Sequence, residues 1–359
     1  MTESTESSRV AETLLFQNEQ DWQGRTVINL SGYNSWQVEA LGIRKWIQPI
    51  PAERMVLFPD ISPTETGLIV PTGVMADFDM AKVPEWRKFI RGADIGCGMQ
   101  MSTLPLKEEE FVKNQKALDE LYERLGREGL LQCFRGNHFI NFAKDIDTGN
   151  MQVLVHTGSY GDAQKKLSAL VDHPEQYDAE YKRTIESGRD TRNRIMHVIG
   201  KVYGEGESFD TVHNTVEMNE KTGIARVYKG VVAVKKEGER QVLPSSLNGI
   251  MVVYNTGKKA EEIGGTSHGT GRAVSRSAIR RTIDEIREQY HEKEQDGRID
   301  PKQLHIMTPS GLRWPVTEID TAYHSIDRSL DLMEGSGLMK HVDQQFLQPI
   351  AGIKSGSEE

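Results

Sequence analysis

Cysteine is almost missing from this chain. Its 359 residues include only Cys97 and Cys133. That is too few for a disulfide framework, so small cross-linked secreted scaffolds are excluded and a reducing compartment is favoured. Long apolar runs are missing too, and no stretch is long enough to span a bilayer as a helix. The opening "MTESTESSRVAE" has neither a basic region nor an apolar core, so it is not read as a secretory signal. The expectation is a cytoplasmic protein with no membrane partner. Positive charge is not in excess either. A net charge of −9 argues against a surface coated for non-specific nucleic-acid binding, while leaving room for a local basic groove. There is no internal repeat and no long linker. The expected organisation is one folded unit over residues 21–354, with a flexible N-terminal tail over 1–20 and a C-terminal tail over 355–359.

What is present suffices for a large core: 37% hydrophobic residues in a chain of this length. Pro59-Asp60 and Pro63 punctuate a segment that continues as "GLIVPTGVM", which reads as short strands and turns. From Lys107 to Gly129 the spacing of Phe111, Leu118, Leu121, Tyr122 and Leu125 predicts one helical face. Val153 to His156 reads as a short strand. Ile195, Val198, Ile199, Val202 and Tyr203 return to helical spacing, with Gly204 as a C-cap. The stretch from Ile224 to Asn255 is β-rich, with a turn at Glu237-Gly238. A charged helix is expected from Ser275 to about Gln295, with Ile279, Ile283 and Ile286 inward. A last helix through Ile326, Leu330 and Met333 is capped by Ser325. Helices and strands alternate without a regular βαβ rhythm, so the fold class is α/β in the sense of an irregular α+β mixture.

The chemistry concentrates in a few places. In "RGADIGCGMQM", Asp94 and Cys97 are three apart on a loop of glycines. Such a loop can turn sharply and aim a carboxylate and a thiolate at one centre; a buried structural cysteine beside a turn has the same local pattern. Of ten histidines, His173, His197, His291, His305, His324 and His341 sit in helical or charged contexts and read as ordinary surface or core side chains. His138, His156, His213 and His268 lie at the edges of apolar segments or beside Gly, Asn, Ser or Thr, where scaffolds present ligands. Asp, Cys and several His together suit Mn, Fe, Co or Zn. Gly269 and Gly271 in "SHGTGR" can be a plain loop or a phosphate cradle with Arg272 and Arg276 nearby, and an imidazole at its head can be a nucleophile toward phosphorus.

Taken in order, "ADIGCGM", "GNHF", "VHTGSYG", "VHN", "VLPSSL" and "SHGTGRAVSR", followed by "AYHSID" and "GIKSG", resemble the RtcB family of RNA ligases. These enzymes join a 3′-phosphate or 2′,3′-cyclic phosphate RNA end to a 5′-hydroxyl end, in RNA repair or tRNA splicing. The resemblance implies that residues 21–354 are an RtcB-like catalytic domain of a largely private α/β architecture. It implies two Mn²⁺ ions, one held by Asp94, Cys97 and His138, the other by Cys97, His156 and His213, with Cys97 bridging. It implies that His268 attacks the α-phosphorus of GTP and becomes guanylated. Asn137, Phe139, Asn214, Pro244, Ser245, Ser246, Leu247, Gly269, Thr270, Gly271 and Lys354 fall on the nucleotide-contacting positions. The implied partners are RNA ends and, for some members, an archease-like activator.

The chain also departs from the family pattern. Asn141 stands where members usually carry the Glu that helps read guanine, and Tyr160 replaces the Arg of "HSGSRG". Ser245 and Asn248 replace glycines, and Met251 replaces a nucleotide-contacting Ser. "PDVHLGKG" survives only as Pro59-Asp60. Three readings therefore stand side by side: the nucleotide-consuming ligase, with GTP or with an altered nucleotide preference; a dinuclear phosphoesterase or cyclic-phosphate hydrolase; and a non-catalytic protein that binds RNA ends through Arg272, Arg276 and Lys354.

Overall fold

The structure is a computed structural model. It describes residues 18–354 apart from 22–23, 35–36, 39–40, 63–68, 92–93, 135–136, 160–161, 248, 275–277, 280–304, 308–312 and 316–321. Two large sheets organise the chain. The first runs β1-β2-β3-β4-β10-β9, built from β1 (Asn18–Asp21), β2 (Thr26–Asn29), β3 (Arg54–Leu57), β4 (Val74–Asp79), β9 (Asn214–Asn219) and β10 (Ile224–Lys229). The β2–β3 pair is parallel and the other pairs are antiparallel. The second sheet is antiparallel throughout and runs β12-β13-β17-β6-β7-β5-β8. Its strands are β5 (Gly98–Lys107), β6 (Phe139–Asp145), β7 (Asn150–Thr157), β8 (Ser208–Val212), β12 (Arg240–Leu243), β13 (Met251–Asn255) and β17 (Gln345–Ile353). A short ribbon, β11 (Val231–Ala233) with β14 (Gly265–Ser267), lies beside them, and β15 (His305–Met307) pairs antiparallel with β16 (Arg313–Pro315).

The second sheet is buried on both faces, so its strands read as nearly continuous apolar runs. Along β6 and β7, Ile140, Phe142, Met151, Val153 and Val155 pack with Ile195, Val198 and Ile199 of the 30-residue helix Pro174–Tyr203. On the opposite face Met99, Met101, Phe139, Ala143 and Leu154 meet Val242, Met251, Val253 and Leu347. That face is internal because the sheet curls. The Arg240 guanidinium of one terminal strand sits 5.3 Å from the centre of the Phe209 ring on the other. A third cluster, with Val56, Phe58, Met75 and Tyr228 against Leu243, Val252 and Tyr254, glues the two sheets together.

The mixed α/β class read from the sequence is the class observed, with seven α-helices among the described residues. Several elements differ in extent. The strand expected over Val153–His156 runs over Asn150–Thr157. The single helix expected from Lys107 is two, Glu108–Lys113 and Gln115–Arg127, broken at Asn114. In the second of these the buried stripe is Ala117, Leu121 and Leu125, with Phe111 buried in the first. Tyr122 lies one residue off that stripe and is 51% exposed, against the sequence expectation. The helix ending at Tyr203 begins at Pro174, twenty-one residues before Ile195, where its apolar spacing starts. Its first turns carry acidic and basic residues, and part of its buried face is polar: Thr184, Thr191 and Arg192. Gly204 does follow its last turn at φ 88°, Gly238 takes φ 82° in the expected turn, and Ser325 accepts a hydrogen bond from the Arg328 N–H as a helix cap. The β1 strand starts at Asn18, inside the stretch expected to be tail. The helix expected over Ser275–Gln295 lies outside the described residues except for Ala278 and Ile279, which are helical. Pro63, Tyr160, Asn248, Arg276, His291 and the tails 1–17 and 355–359 also lie outside them.

Candidate metal centre and nucleophile

Four neighbouring strands, in the order β6-β7-β5-β8, bring four side chains to one end of the second sheet. His138 stands just before β6, His156 near the end of β7, Cys97 just before β5 and His213 just after β8. Phe139 and Met99 are both cross-strand partners of His156. His213 is also the residue at which the chain leaves the second sheet, through β8, and enters the first, through β9. The cluster therefore sits on the seam between the sheets.

The loop carrying Asp94 and Cys97 is held from several sides. Asp94 takes φ 54°, a left-handed conformation unusual for a non-glycine residue, and Gly96 takes φ 85°. The Cys97 N–H donates to the Asp94 carbonyl at 3.0 Å, and the Asn214 side-chain amide donates to the same carbonyl at 3.2 Å. The His213 N–H donates to the Cys97 carbonyl at 3.0 Å. Glycines are required where backbones meet: a Cβ on Gly158 would lie 3.0 Å from Asp94 Oδ1, and one on Gly98 would lie 2.3 Å from the Thr211 carbonyl oxygen.

The polar atoms converge. Cys97 Sγ lies 3.2 Å from His138 Nε2 and 3.3 Å from His156 Nε2. His156 Nε2 and His213 Nε2 are 3.3 Å apart, and His138 Nε2 is 2.9 Å from Asp94 Oδ2. The donor atoms of Asp94, Cys97 and His138 all lie within 4.8 Å of one another, as do those of Cys97, His156 and His213. The family resemblance implied two triads sharing Cys97, and the fold brings the side chains of both triads together.

Protons alone fit this arrangement poorly. The His138 Nδ1 is 3.2 Å from the Cys133 carbonyl, which only accepts, so Nδ1 carries a hydrogen. The Nε2 of the same ring faces a carboxylate oxygen and a sulfur. Burial, reinforced by the neighbouring imidazoles, holds His156 and His213 well below the ordinary histidine value. Both rings are then neutral, and their Nδ1 atoms are buried without a hydrogen-bond partner. Burial, with Asp94 adding to it, pushes the Cys97 thiol well up, while Arg192 and Lys229 pull it back. Burial alone would raise Asp94, but its hydrogen bond and charge interaction with His138 outweigh that and hold it at about 2. Neutral imidazoles, a carboxylate and a thiol that a bound cation would deprotonate are a fitting donor set for a transition metal of intermediate softness.

His268 abuts this cluster, its ring centre 4.6 Å from that of His213. It follows β14, and Gly230 must be a glycine beside it: φ is 61° and a Cβ would lie 3.0 Å from His268 Cε1. Its Nδ1 is 2.6 Å from Asp60 Oδ2. Asp60 is fully buried and also accepts from the Ser267 hydroxyl at 2.9 Å and the His268 N–H at 3.3 Å. A carboxylate only accepts, so Nδ1 carries a proton, and in the neutral ring the lone pair is on Nε2. The sequence kept Asp60 only as the remnant of a longer motif and gave it no role. The "PD" pair was the signal that could have found it. Lys229, another residue missed, is coupled electrostatically to Asp94 and Cys97.

The expected nucleotide positions divide. Lys354 Nζ donates to the His138 carbonyl at 3.3 Å, and Asn214 is built into the Asp94 loop. The Thr270 N–H donates to the Pro244 carbonyl at 3.0 Å, so the "SHGTG" and "PSSLN" segments touch. Asn137 and Ser245 are half-buried, while Phe139, Ser246, Leu247, Gly269, Thr270 and Gly271 are buried. Phe139 packs edge-on against His156 with ring centres 5.2 Å apart. Asn141 is fully buried, and its amide donates to the Leu247 carbonyl at 2.9 Å. Cys133 packs in the core, as expected, and its carbonyl also serves Thr157.

A family model described as tRNA-splicing ligase RtcB matches residues 169–355, just over half of the chain. His213 and His268 lie inside the match; Asp94, Cys97, His138 and His156 precede it and meet them through the fold. No curated protein matches the chain.

Proposed function

The chain belongs to the RtcB family of tRNA-splicing ligases, and from that premise we propose that it is a metal-dependent RNA ligase. It joins 3′-phosphate or 2′,3′-cyclic phosphate ends to 5′-hydroxyl ends through a nucleotidylated His268. The observation that carries this reading is the geometry of His268: Nδ1 lies 2.6 Å from the buried Asp60 carboxylate, which leaves Nε2 to act as the nucleophile, and a metal-ligand cluster is in contact.

Asp94, Cys97 and His138 would hold one Mn²⁺, and Cys97, His156 and His213 a second. When bound, the ions supply neutralisation of charge on phosphoryl oxygens and a lowered pKa for a reacting hydroxyl. The chain's own residues supply the nucleophile. His268 Nε2 forms a bond to the α-phosphorus of GTP, the bond from that phosphorus to the leaving oxygen breaks, and diphosphate departs with the electron pair. Positive charge gathers on the imidazole as the N–P bond forms, and Asp60, 2.6 Å from Nδ1, stabilises it. An oxygen of the RNA 3′-phosphate then displaces the imidazole and takes the nucleotide. A 2′,3′-cyclic end must first be opened by water. Last, the 5′-hydroxyl attacks, its proton leaves as the phosphodiester forms, and GMP departs. Gly269 and Gly271 with Lys354 supply backbone N–H groups and a cation for the nucleotide phosphates, and Thr270, whose N–H donates to the Pro244 carbonyl, holds that loop in place. The folded unit, expected over residues 21–354, is proposed to begin at Asn18 with β1, and the protein to act in the cytoplasm with an archease-like activator as a candidate partner.

A second reading, a phosphoesterase that uses no nucleotide or a ligase of altered nucleotide preference, draws on Asn141. Its amide is fully buried and donates to the Leu247 carbonyl, where the family carries a guanine-reading Glu. One experiment separates the readings: intact-mass analysis after incubation with GTP or ATP and Mn²⁺, on wild type and His268→Ala. A gain of one nucleoside monophosphate on the wild type alone supports nucleotidyl transfer and names the nucleotide. No adduct with either nucleotide rejects the ligase mechanism.

A further inference from the structure

Arg192 is the most thoroughly enclosed cation among the described residues, with a side-chain exposure of 0%. It lies on the long helix, away from every motif that the sequence singled out. Its guanidinium grips three separate segments. Nε donates to Asp210 Oδ1 at 2.5 Å and Nη2 to Asp210 Oδ2 at 3.0 Å. Nη1 donates to two backbone carbonyls, Gly96 at 2.9 Å and Thr157 at 2.8 Å. Each contact is one to three residues from a residue of the cluster: Gly96 precedes Cys97, Thr157 follows His156, and Asp210 stands three before His213.

The neighbouring glycines are shaped around this grip. A Cβ on Gly98 would lie 2.9 Å from Arg192 Cζ, one on Gly188 would lie 2.5 Å from the Gly96 carbonyl oxygen, and one on Gly96 would lie 2.9 Å from the Thr184 carbonyl oxygen. Thr184, Gly188 and Arg192 are spaced by four, so one stripe of the helix receives the Asp94–Cys97 loop. Burying a guanidinium is costly unless it is paired and its donors are satisfied. Here a bidentate carboxylate and two carbonyls do both. A lysine could not, because only the planar fork aims donors at three segments at once.

We propose that Arg192 is a positioning residue for the metal centre: it fixes the spacing of Cys97, His156 and His213, and so the geometry with which they take up a cation. This rests on the metal-centre reading above. The test uses the full-length, metal-free protein and Co²⁺ alone as probe. Affinity is read by competition with a chelator, and geometry by the d–d and thiolate-to-cobalt charge-transfer absorption. Arg192→Lys keeps the charge but offers a single nitrogen in place of the fork. Its affinity for Co²⁺ is expected to fall about tenfold or more, as for other outer-shell partners of metal ligands, with an altered charge-transfer band. A residue that merely supported the fold would lower thermal stability and leave the spectrum of the folded protein unchanged. If the wild type takes up no Co²⁺, the metal-centre reading itself fails. If the wild type binds and Arg192→Lys gives the same affinity and spectrum, the positioning role is overturned. Should Arg192→Lys not fold, Asp210→Asn replaces it. That change keeps the side-chain size, leaves both carbonyl contacts and removes the charge of the pair. A smaller loss of affinity with a shifted band is expected, and wild-type values would again overturn the proposal.

Discussion

Replacing Asp60 by Asn puts the nucleophile assignment under the sharpest test. The change is nearly isosteric, and the site is fully buried, so the effect falls on hydrogen bonding. In the native protein Oδ2 accepts from His268 Nδ1 and the His268 N–H, while Oδ1 accepts from Ser267. An asparagine offers one acceptor oxygen for these three donors. If its NH₂ faces Nδ1, the imidazole must accept there, its proton moves to Nε2 and the attacking lone pair is gone. If its oxygen faces Nδ1, the tautomer survives but the negative charge that supports the developing imidazolium does not. A hydrogen bond to a charged group contributes about 1.5–3 kcal/mol. At 1.36 kcal/mol per factor of ten, the rate of adduct formation on His268 should fall about 10- to 150-fold, and more if the wrong tautomer dominates. The assay is the time course of the nucleoside monophosphate adduct by intact mass, with Co²⁺ affinity measured alongside. Asp60 belongs to neither ligand triad, so metal uptake should be unchanged. Adduct formation at the wild-type rate in Asp60→Asn would refute the argument that a fixed proton on Nδ1 makes His268 a nucleophile.

Two further outcomes are expected. Metal affinity should rise about tenfold per pH unit between pH 7 and 9, because the Cys97 thiol, held well above its ordinary value, must release one proton on binding. His156 and His213, held low, have none to release there. Chelator competition across that range checks the slope, and Cys97→Ser should flatten it and weaken binding. Gly98→Ala should destabilise the protein by about 1–3 kcal/mol, since its Cβ would lie 2.3 Å from the Thr211 carbonyl oxygen and 2.9 Å from Arg192 Cζ. Thermal denaturation of the metal-free protein reads this directly, and an unchanged midpoint would show that the loop has more room than these distances allow.

The residues legible in the sequence and those that were not differ in a physical way. Cys97, His138, His156 and His213 were visible because each sits where an apolar strand begins or ends, and such edges leave a local pattern of glycine and small polar residues. Their meeting was not visible. It depends on the order β6-β7-β5-β8, in which strands distant along the chain become neighbours, and only the ordered family motifs stood in for that information. The long helix was legible only in its last turns, where Ile195, Val198 and Ile199 keep an apolar period. Its first turns bury Tyr177 and Tyr181 in a separate core cluster, and its middle turns bury Thr184, Gly188 and Arg192 against a loop made largely of backbone. A helix face that packs on carbonyl groups instead of side chains needs small residues and donors, so it carries no hydrophobic period to read.

The same reasoning separates the centre of the site from its rim. Asp94, Cys97, His138, His156, His213 and His268 are fixed by backbone hydrogen bonds, glycine contacts and two buried groups, Asp60 and Arg192. Three departures from the family pattern, Asn141, Ser245 and Met251, fall elsewhere. There the side chains pack among themselves: Asn141 donates to the Leu247 carbonyl, and Leu247 and Met251 share one apolar cluster. Under the proposed ligase reading, a change on that rim alters which base is accommodated without moving a ligand atom. A change in the centre must break the grip that holds three strands together. Under the proposed ligase reading, nucleotide preference can therefore diverge at these positions at least cost while the cluster of metal-ligating side chains is kept.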